Sequence, residues 1–176
     1  MDALVYIVET LLRLALFVVL LRLLMQWSRS DFRNPIGQAI VKLTNPLVLP
    51  LRRVLPPIGK LDTASIVGVV LIALLQVAVV LALRGYGLPG PIWWIRAVVV
   101  EIVHTTLWTY FYAIVVYALL SFIAPGGYSP LQALLASLCE PVLRPIRRWI
   151  PAIAGLDLSP LWACIAIQAL LIALRV

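Results

Sequence analysis

The sequence predicts an all-α membrane protein with four transmembrane helices in two parallel tandem repeats, each a span, an interfacial proline-rich hairpin and a second span. Two observations predict this fold class. Hydrophobic residues make up 64% of the 176-residue chain and charged residues only 12%, so lipid rather than water is expected around much of its surface. A segment rich in proline and arginine also occurs twice, 95 residues apart.

Four stretches are candidates for membrane spans, because a transmembrane helix needs about 20 mostly apolar residues. They cover residues 4–26, 65–83, 95–123 and 158–174, and the last is short but contains no charge. Arg22 lies near the end of the first stretch, where its long side chain is expected to snorkel to the interface. The segment RGYGLPGP between the second and third stretches predicts a tight turn.

The basic residues predict how the spans are oriented. Nine lysines and arginines lie between spans one and two or between spans three and four, and three lie on the opposite side. Loops that carry Lys and Arg close to span ends stay in the cytoplasm. We therefore expect a multi-pass protein of the bacterial inner (plasma) membrane, with both termini in the periplasm.

The repeat organises the whole sequence, since residues 35–62 align with residues 130–157 at an offset of 95 without a gap. The predicted domains are residues 1–88 and residues 89–176, each with two spans and an amphipathic cytoplasmic segment. An even number of spans per repeat makes the two repeats parallel, with a pseudo-twofold axis along the membrane normal. The identical pairs include Pro46 and Pro141, Pro50 and Pro145, Arg52 and Arg147, Arg53 and Arg148, Pro56 and Pro151, Leu61 and Leu156, and Asp62 and Asp157.

Each repeated segment predicts a short amphipathic helix that lies in the cytoplasmic interface. Pro50 and Pro145 lack a backbone N–H, so they are expected to kink or break a continuing helix. Asp62 and Asp157 stand at the start of the following spans, where the helix dipole favours a carboxylate. The predicted apolar stripes are Ile36, Ala39, Ile40 and Leu43 in the first copy, and Leu131, Leu134, Leu135 and Leu138 in the second.

In each repeated segment two adjacent arginines follow a proline, after Pro50 in the first copy and after Pro145 in the second. A guanidinium group binds phosphate through a planar fork of donors, and a basic residue at the interface contributes about 1 kcal/mol to attraction toward anionic lipid. The doublets therefore predict contact with anionic headgroups or a protein partner, and a purely structural hairpin is the alternative. Nucleic acid is not expected, because the bases are few and their surroundings apolar. The predicted lipid- or partner-binding residues are Asn45, Pro46, Pro50, Arg52, Arg53, Pro141, Pro145, Arg147 and Arg148.

Glu9, Arg13, Glu101 and His104 are the candidate polar site within the predicted spans, where charge is costly enough to be a functional hypothesis. Glu9 and Arg13 are four residues apart and can pair on one helix face. Glu101 and His104 are three apart, and His104 occupies the repeat position of Glu9. A self-neutralised pair and a proton or ion path are both open interpretations. Gln76 is expected to form an ordinary hydrogen bond between helices.

Known catalytic motifs are absent from the sequence. It contains no GxSxG, no HExxH and no glycine-rich phosphate loop. One histidine and seven scattered acids offer little for general acid–base catalysis, and Cys139 and Cys164 are not spaced as metal ligands. We therefore expect a protein that is not an enzyme and that holds no cofactor or metal.

The repeated segment resembles the signature of the YggT (YlmG-related) family of small integral membrane proteins, and the tandem duplication resembles its two-unit Gram-negative form. The second copy departs from the signature, with Glu140 in place of Asn45 and Ser129 in place of Asn34. The signature residues are Asn34, Pro35, Asn45, Pro46, Pro50, Arg52, Arg53, Pro56 and Asp62.

The resemblance implies an inner-membrane protein with no assigned enzymatic activity. Bacterial members are loosely linked to osmotic or envelope stress and potassium handling, and relatives elsewhere to division, nucleoid distribution and cytochrome assembly. The leading hypothesis is thus a scaffold or assembly factor that binds anionic lipid and associates with itself or another membrane protein. The alternative hypothesis is a component of an ion (potassium) channel or transporter.

Overall fold

A computed structural model describes residues 2–56, 62–85, 87, 89–123, 129–150 and 157–174, and within them every regular element is a helix. The all-α prediction is therefore confirmed for this part of the chain. Pro151 and the matched Leu61 and Leu156 lie outside the described residues. The helices are α1 (Asp2–Trp27), α2 (Pro35–Val54), α3 (Thr63–Leu83), α4 (Pro91–Ile123), α5 (Pro130–Trp149) and α6 (Ser159–Ala173).

Four of these helices coincide with the four predicted spans. α1, α3 and α4 are long and apolar enough to cross a membrane, whereas α6 is apolar but has only 15 residues. Large apolar side chains on α3, among them Val70, Leu74 and Leu75, are exposed rather than buried against protein. Apolar surface of this extent is unfavourable in water. The long apolar helices therefore indicate a membrane protein.

Proline was predicted to kink or break the helices of the two repeated segments, and the structure shows no break. α2 continues through Pro46 and Pro50, and α5 continues through Pro141 and Pro145. All four prolines are exposed, and the two in each helix are four residues apart and hence on one side. Each proline removes one backbone hydrogen bond, but the bonds on the buried side persist, so the helix continues.

The helices of the two segments begin at side-chain caps. Asn34 Oδ1 accepts a hydrogen bond from the Ile36 backbone N–H at 3.0 Å. Ser129 Oγ accepts one from the Gln132 backbone N–H at 3.2 Å. Although Ser129 departs from the family signature, it supplies the same kind of acceptor before a proline at the first helical position.

The buried side of α2 is rotated from the predicted apolar stripe. Ile40 is buried, but Leu43 is 70% exposed. The buried side instead follows Gly37, Ile40, Thr44 and Val48, at the spacing of a single helix face. In α5 the predicted stripe is largely buried, over Leu134, Leu135 and Leu138.

The chain forms two compact units, Met1–Leu23 with Ile40–Thr106 and Leu24–Ala39 with Leu107–Val176. In the first unit, Gly68 brings the backbone of α3 close to Leu47 of α2. Because spatial grouping and sequence repetition are independent properties, the predicted domains 1–88 and 89–176 stay a prediction. Core residues are Leu16, Leu20, Val48 and Ala73 in the first unit, and Met25, Ile114, Leu138 and Ile167 in the second.

Candidate functional site

The first arginine of the first doublet is bound to the aspartate that precedes the next helix. Arg52 Nε donates to Asp62 Oδ1 at 3.3 Å, and Arg52 Nη2 donates to Asp62 Oδ2 at 2.5 Å. Asp62 is only 2% exposed, and its Oδ2 also accepts from Ser65 Oγ at 2.7 Å. This forked pair, which we call the first Arg–Asp lock, joins the end of α2 to the start of α3.

The first lock keeps both partners charged. Burial alone would raise the pKa of Asp62, but hydrogen bonds from Arg52 and Ser65, with the charges of Arg52 and Arg22, outweigh burial and lower that pKa. The hydrogen bond to Asp62 in turn raises the pKa of Arg52. Asp62 is also the N-cap residue of α3, at the positive end of the helix dipole as predicted, although its carboxylate makes no capping hydrogen bond to the backbone of α3.

Arg22 of α1 is also part of this site, and the prediction that it snorkels to the interface is wrong. Its side chain is 4% exposed, and Nη1 donates to Thr44 Oγ1 at 2.7 Å and to Asn45 Oδ1 at 3.1 Å. The hydroxyl and amide oxygens of α2 lie within reach, so the guanidinium is satisfied without leaving the protein. Asn45 therefore has an intramolecular partner.

The second repeat contains a matching pair, the second Arg–Asp lock. Arg147 Nε donates to Asp157 Oδ2 at 2.9 Å. Asp157 Oδ1 accepts from the backbone N–H of Ser159 at 2.9 Å and from its hydroxyl at 2.5 Å, so this carboxylate does reach the start of α6. Burial raises the pKa of Asp157, but the Ser159 hydrogen bonds and Arg147 lower it further than burial raises it.

The second lock has different surroundings from the first. Arg147 Nη1 donates to Glu140 Oε2 at 2.9 Å, and Arg147 Nη2 lies 3.5 Å from the Tyr117 hydroxyl. Burial lowers the pKa of Arg147, but Asp157 and Tyr117 raise it above its ordinary value. At the offset of 95, Glu140 matches Asn45 and Tyr117 matches Arg22. A carboxylate and a phenol therefore surround the second lock where an amide and a guanidinium surround the first.

The second arginine of each doublet has a different environment from the first. Arg53 and Arg148 are exposed, and neither forms an ion pair or side-chain hydrogen bond with any other described residue. Pro46, Pro50, Pro141 and Pro145 are exposed as well, on α2 and α5. Of the nine residues predicted for lipid or partner binding, three thus have partners within the protein, Asn45, Arg52 and Arg147. The other six are exposed side chains with no polar partner among the described residues.

A second polar cluster in the first unit involves α1, α3 and α4. Glu9 Oε1 accepts from Arg13 Nη2 at 2.7 Å, and Glu9 Oε2 accepts from Arg84 Nη2 at 3.1 Å. Glu101 Oε1 accepts from Gln76 Nε2 at 2.7 Å and lies 4.0 Å from Arg13 Nε. Three of the four predicted intramembrane residues, Glu9, Arg13 and Glu101, therefore lie together.

An open cavity of about 420 Å³ lies against this cluster. Gln76, which is 3% exposed, lines it, and Gln76 Oε1 has no hydrogen-bond partner among the described residues. A buried acceptor without a partner costs about 1–3 kcal/mol. His104 is half-buried on α4 and does not line the cavity.

Sequence reasoning missed several members of these sites. Gln76 was expected only to form a hydrogen bond between helices, and it does so with Glu101. No sequence pattern indicated the cavity beside it. Arg84 was counted only as a flanking charge. A signal for the locks was present, because the separation of ten residues between Arg52 and Asp62 recurs between Arg147 and Asp157.

Neither a metal centre nor a reactive thiol is built from the described residues. No group of three or more His, Cys, Asp or Glu side chains among them is placed to hold a metal ion. Cys139 of α5 is buried, and burial raises the pKa of its thiol to about 12, so the thiolate form is scarce at neutral pH.

Comparisons with known proteins cover nearly the whole chain. The family model described as CCB3/YggT matches residues 1–83 and 97–176. An uncharacterized protein of Pseudomonas aeruginosa is 41% identical over 170 residues, 95% of this chain and 85% of the relative. The uncharacterized protein YggT of Escherichia coli is 36% identical over 161 residues, 92% of this chain and 83% of the relative. An uncharacterized protein of Vibrio alginolyticus is 34% identical over 169 residues, 96% and 91% of the two chains. No solved structure matches.

Proposed function

This chain belongs to the CCB3/YggT family, and from that premise we propose that it is a non-enzymatic scaffold or assembly factor of the inner membrane. In this proposal α1, α3, α4 and α6 span the bilayer as two parallel repeats. α2 and α5 lie at the cytoplasmic interface and bind anionic headgroups. The protein assembles with itself or with another membrane protein, and osmotic or envelope homeostasis is its context.

The observation that carries the proposal is the division within each arginine doublet. Ion pairs with Asp62 and Asp157 tether the partly exposed Arg52 and Arg147, so these arginines fix the hairpins. Arg53 and Arg148 are exposed on the same helices and are available to a phosphate. A scaffold role accounts for both groups, because a rigid hairpin presents a fixed basic side chain in each repeat.

Lipid analysis of the purified protein tests the proposed headgroup contact. The wild-type protein is extracted in mild detergent, and the ratio of anionic to zwitterionic phospholipid that co-purifies is measured by mass spectrometry. We expect enrichment of anionic lipid over the bulk membrane. Arg53→Gln/Arg148→Gln should reduce that enrichment by about fivefold per arginine, the effect of about 1 kcal/mol each.

Two matched variants separate the position of the charge from its amount. Arg53→Lys/Arg148→Lys keeps both charges and should retain the enrichment. Arg29→Gln/Arg33→Gln removes two exposed charges outside α2 and α5 and should reduce it less. Unchanged enrichment in the Arg53/Arg148 glutamine variant, with normal membrane insertion, would remove the basis of the proposal.

An ion channel or transporter component is the second candidate, and the polar cluster beside the cavity is the observation that favours it. The cluster is internally balanced, with Glu9 and Glu101 facing Arg13 and Arg84, which weakens it as a path for a cation. Potassium flux into proteoliposomes discriminates the two candidates. We expect none above protein-free vesicles; flux that falls in Glu101→Gln/His104→Ala would favour the channel.

A further inference from the structure

The cavity beside Gln76 has acceptors in its depth and donors at its mouth. Gln76 is 3% exposed, and the side chains of Glu9 and Glu101 are 16% and 20% exposed. The side chains of Arg13 and Arg84 are 54% and 49% exposed. A ligand that enters this cavity therefore meets guanidinium groups first and oxygen acceptors last.

The deepest acceptor has unused capacity. Gln76 Oε1 accepts no hydrogen bond from any described residue, because the amide uses its Nε2 to bind Glu101 Oε1. The Glu101 carboxylate lines the same cavity and gives this part of it a negative charge. An unpaired amide oxygen beside a carboxylate calls for a donor of N–H or O–H hydrogens with a positive charge, and a primary ammonium group has three such hydrogens.

The charge of the cluster restricts the ligand further. Two carboxylates and two guanidinium groups give a formal net charge of zero. A lone cation or a lone anion would leave the site with an uncompensated charge close to apolar surroundings, which is unfavourable. A zwitterion leaves the balance unchanged, and its anionic part can be bound by the arginines at the mouth.

We propose that this cavity binds a zwitterionic group with a primary ammonium at its tip and a phosphate behind it. The ammonium donates to Gln76 Oε1 and Glu101, and the phosphate accepts from Arg13 and Arg84. The headgroup of an ethanolamine phospholipid has this order of groups, with the ammonium farthest from the acyl chains. A soluble phosphodiester of ethanolamine, such as glycerophosphoethanolamine, carries the same charges in the same order.

The second repeat lacks this site at the matched positions. At the offset of 95, Glu9 corresponds to His104, Arg13 to Trp108 and Gln76 to Leu171. A guanidinium and an amide are thus replaced by an indole and an aliphatic side chain. The proposed site, which also takes Glu101 from α4, therefore has no duplicate at the matched positions, so the stoichiometry expected is one ligand per chain.

Competition between headgroups on the wild-type protein tests the proposal without any substitution. The purified full chain is mixed with equal amounts of ethanolamine, choline and glycerol phospholipids of identical acyl chains, and bound lipid is counted by native mass spectrometry. We expect one ethanolamine lipid per chain, bound about tenfold more than choline lipid, because a trimethylammonium group cannot donate to Gln76. Equal binding of ethanolamine and choline lipid would overturn the proposal.

Variants and a soluble competitor complete the test. Gln76→Leu should abolish the preference for ethanolamine over choline, and Gln168→Leu, a matched glutamine change on α6, should retain it. A preference that survives both Gln76→Leu and Glu101→Gln would also overturn the proposal. Displacement of the bound lipid by millimolar glycerophosphoethanolamine would identify the soluble diester as a ligand, and persistence of the lipid would identify the membrane as the source.

Discussion

Asp62 and Asp157 hold equivalent arginines, yet their environments differ sharply. The Asp62 side chain is 2% exposed and the Asp157 side chain is 39% exposed. When a buried carboxylate loses its arginine, water cannot reach it to take the place of the guanidinium. In an exposed ion pair, water already screens the attraction between the two charges. The same substitution in the two repeats should therefore have different consequences.

Arg52→Gln should lower the free energy of unfolding by about 2–3 kcal/mol, because it leaves the buried Asp62 carboxylate with Ser65 as its nearest donor. Arg147→Gln should lower it by about 1 kcal/mol or less, because water and Ser159 still solvate Asp157. Denaturant unfolding in detergent micelles, followed by circular dichroism, measures both. Equal losses in the two variants would contradict this difference in burial.

The two aspartates also predict how stability depends on pH. Their folded-state pKa values are lowered, so below the ordinary carboxyl pKa of about 3.9 the unfolded chain takes up protons first. Stability from both locks is thus complete above that pH and is lost as pH falls through the lowered values. Unfolding free energies measured from about pH 5 to about pH 2 should fall more steeply for wild type than for Asp62→Asn/Asp157→Asn. Parallel curves would show that the locks do not contribute.

At the scale of the element, α2 and α5 place internal prolines on an exposed side. A helix-interior proline is about 3 kcal/mol less favourable than alanine, and the loss is tolerated here because Thr44 and Val48 bury the opposite side of α2. The prolines are therefore a local cost within helices that packing holds together.

Pro46→Ala/Pro50→Ala should accordingly stabilise α2 rather than unfold it, by about 1–3 kcal/mol, because it restores two backbone donors. Val48→Ala, a buried position of the same helix, is the matched control and should destabilise by about 1–3 kcal/mol. Chemical denaturation of both variants in the same detergent gives the comparison. A loss of stability in the alanine variant would assign the prolines a structural role that their exposure does not explain.

At the scale of the whole molecule, the proposed four-span topology depends on whether α6 crosses the membrane. Its 15 residues span about 22 Å at a rise of about 1.5 Å per residue, and the hydrocarbon core is about 30 Å thick. A short apolar helix can cross by thinning the bilayer locally. The number of crossings sets the sides on which the two ends of the chain lie.

Reporter fusions at the two ends of the chain should place both on the periplasmic side, as four crossings and the distribution of basic residues require. Alkaline phosphatase, active in the periplasm, and green fluorescent protein, fluorescent in the cytoplasm, give complementary signals at each end. A fusion after α5 is the internal control and should report the cytoplasm. A cytoplasmic carboxyl end with a periplasmic amino end would mean that α6 does not cross.

The sequence by itself determined the helical class, and it placed the ends of α1, α3, α4 and α6 to within a few residues. It also determined the repeated segments and the family resemblance. These features depend on the local pattern of apolar residues or on residues that match at a fixed offset. Both are properties of the sequence itself and do not require the folded structure. Glu9 and Arg13 could be paired in advance for the same reason, since they lie one helical turn apart.

Only the tertiary structure decided which arginine of each doublet is bonded internally, that Arg22 turns toward Thr44, and that Gln76 faces a cavity. Arg52 and Arg53 are the same amino acid at adjacent positions, so the local sequence does not distinguish them. They differ by about 100° of rotation around α2, and packing against the adjacent helices fixes that rotation. Partner choice across tens of residues is therefore a property of helix placement, which no local pattern encodes.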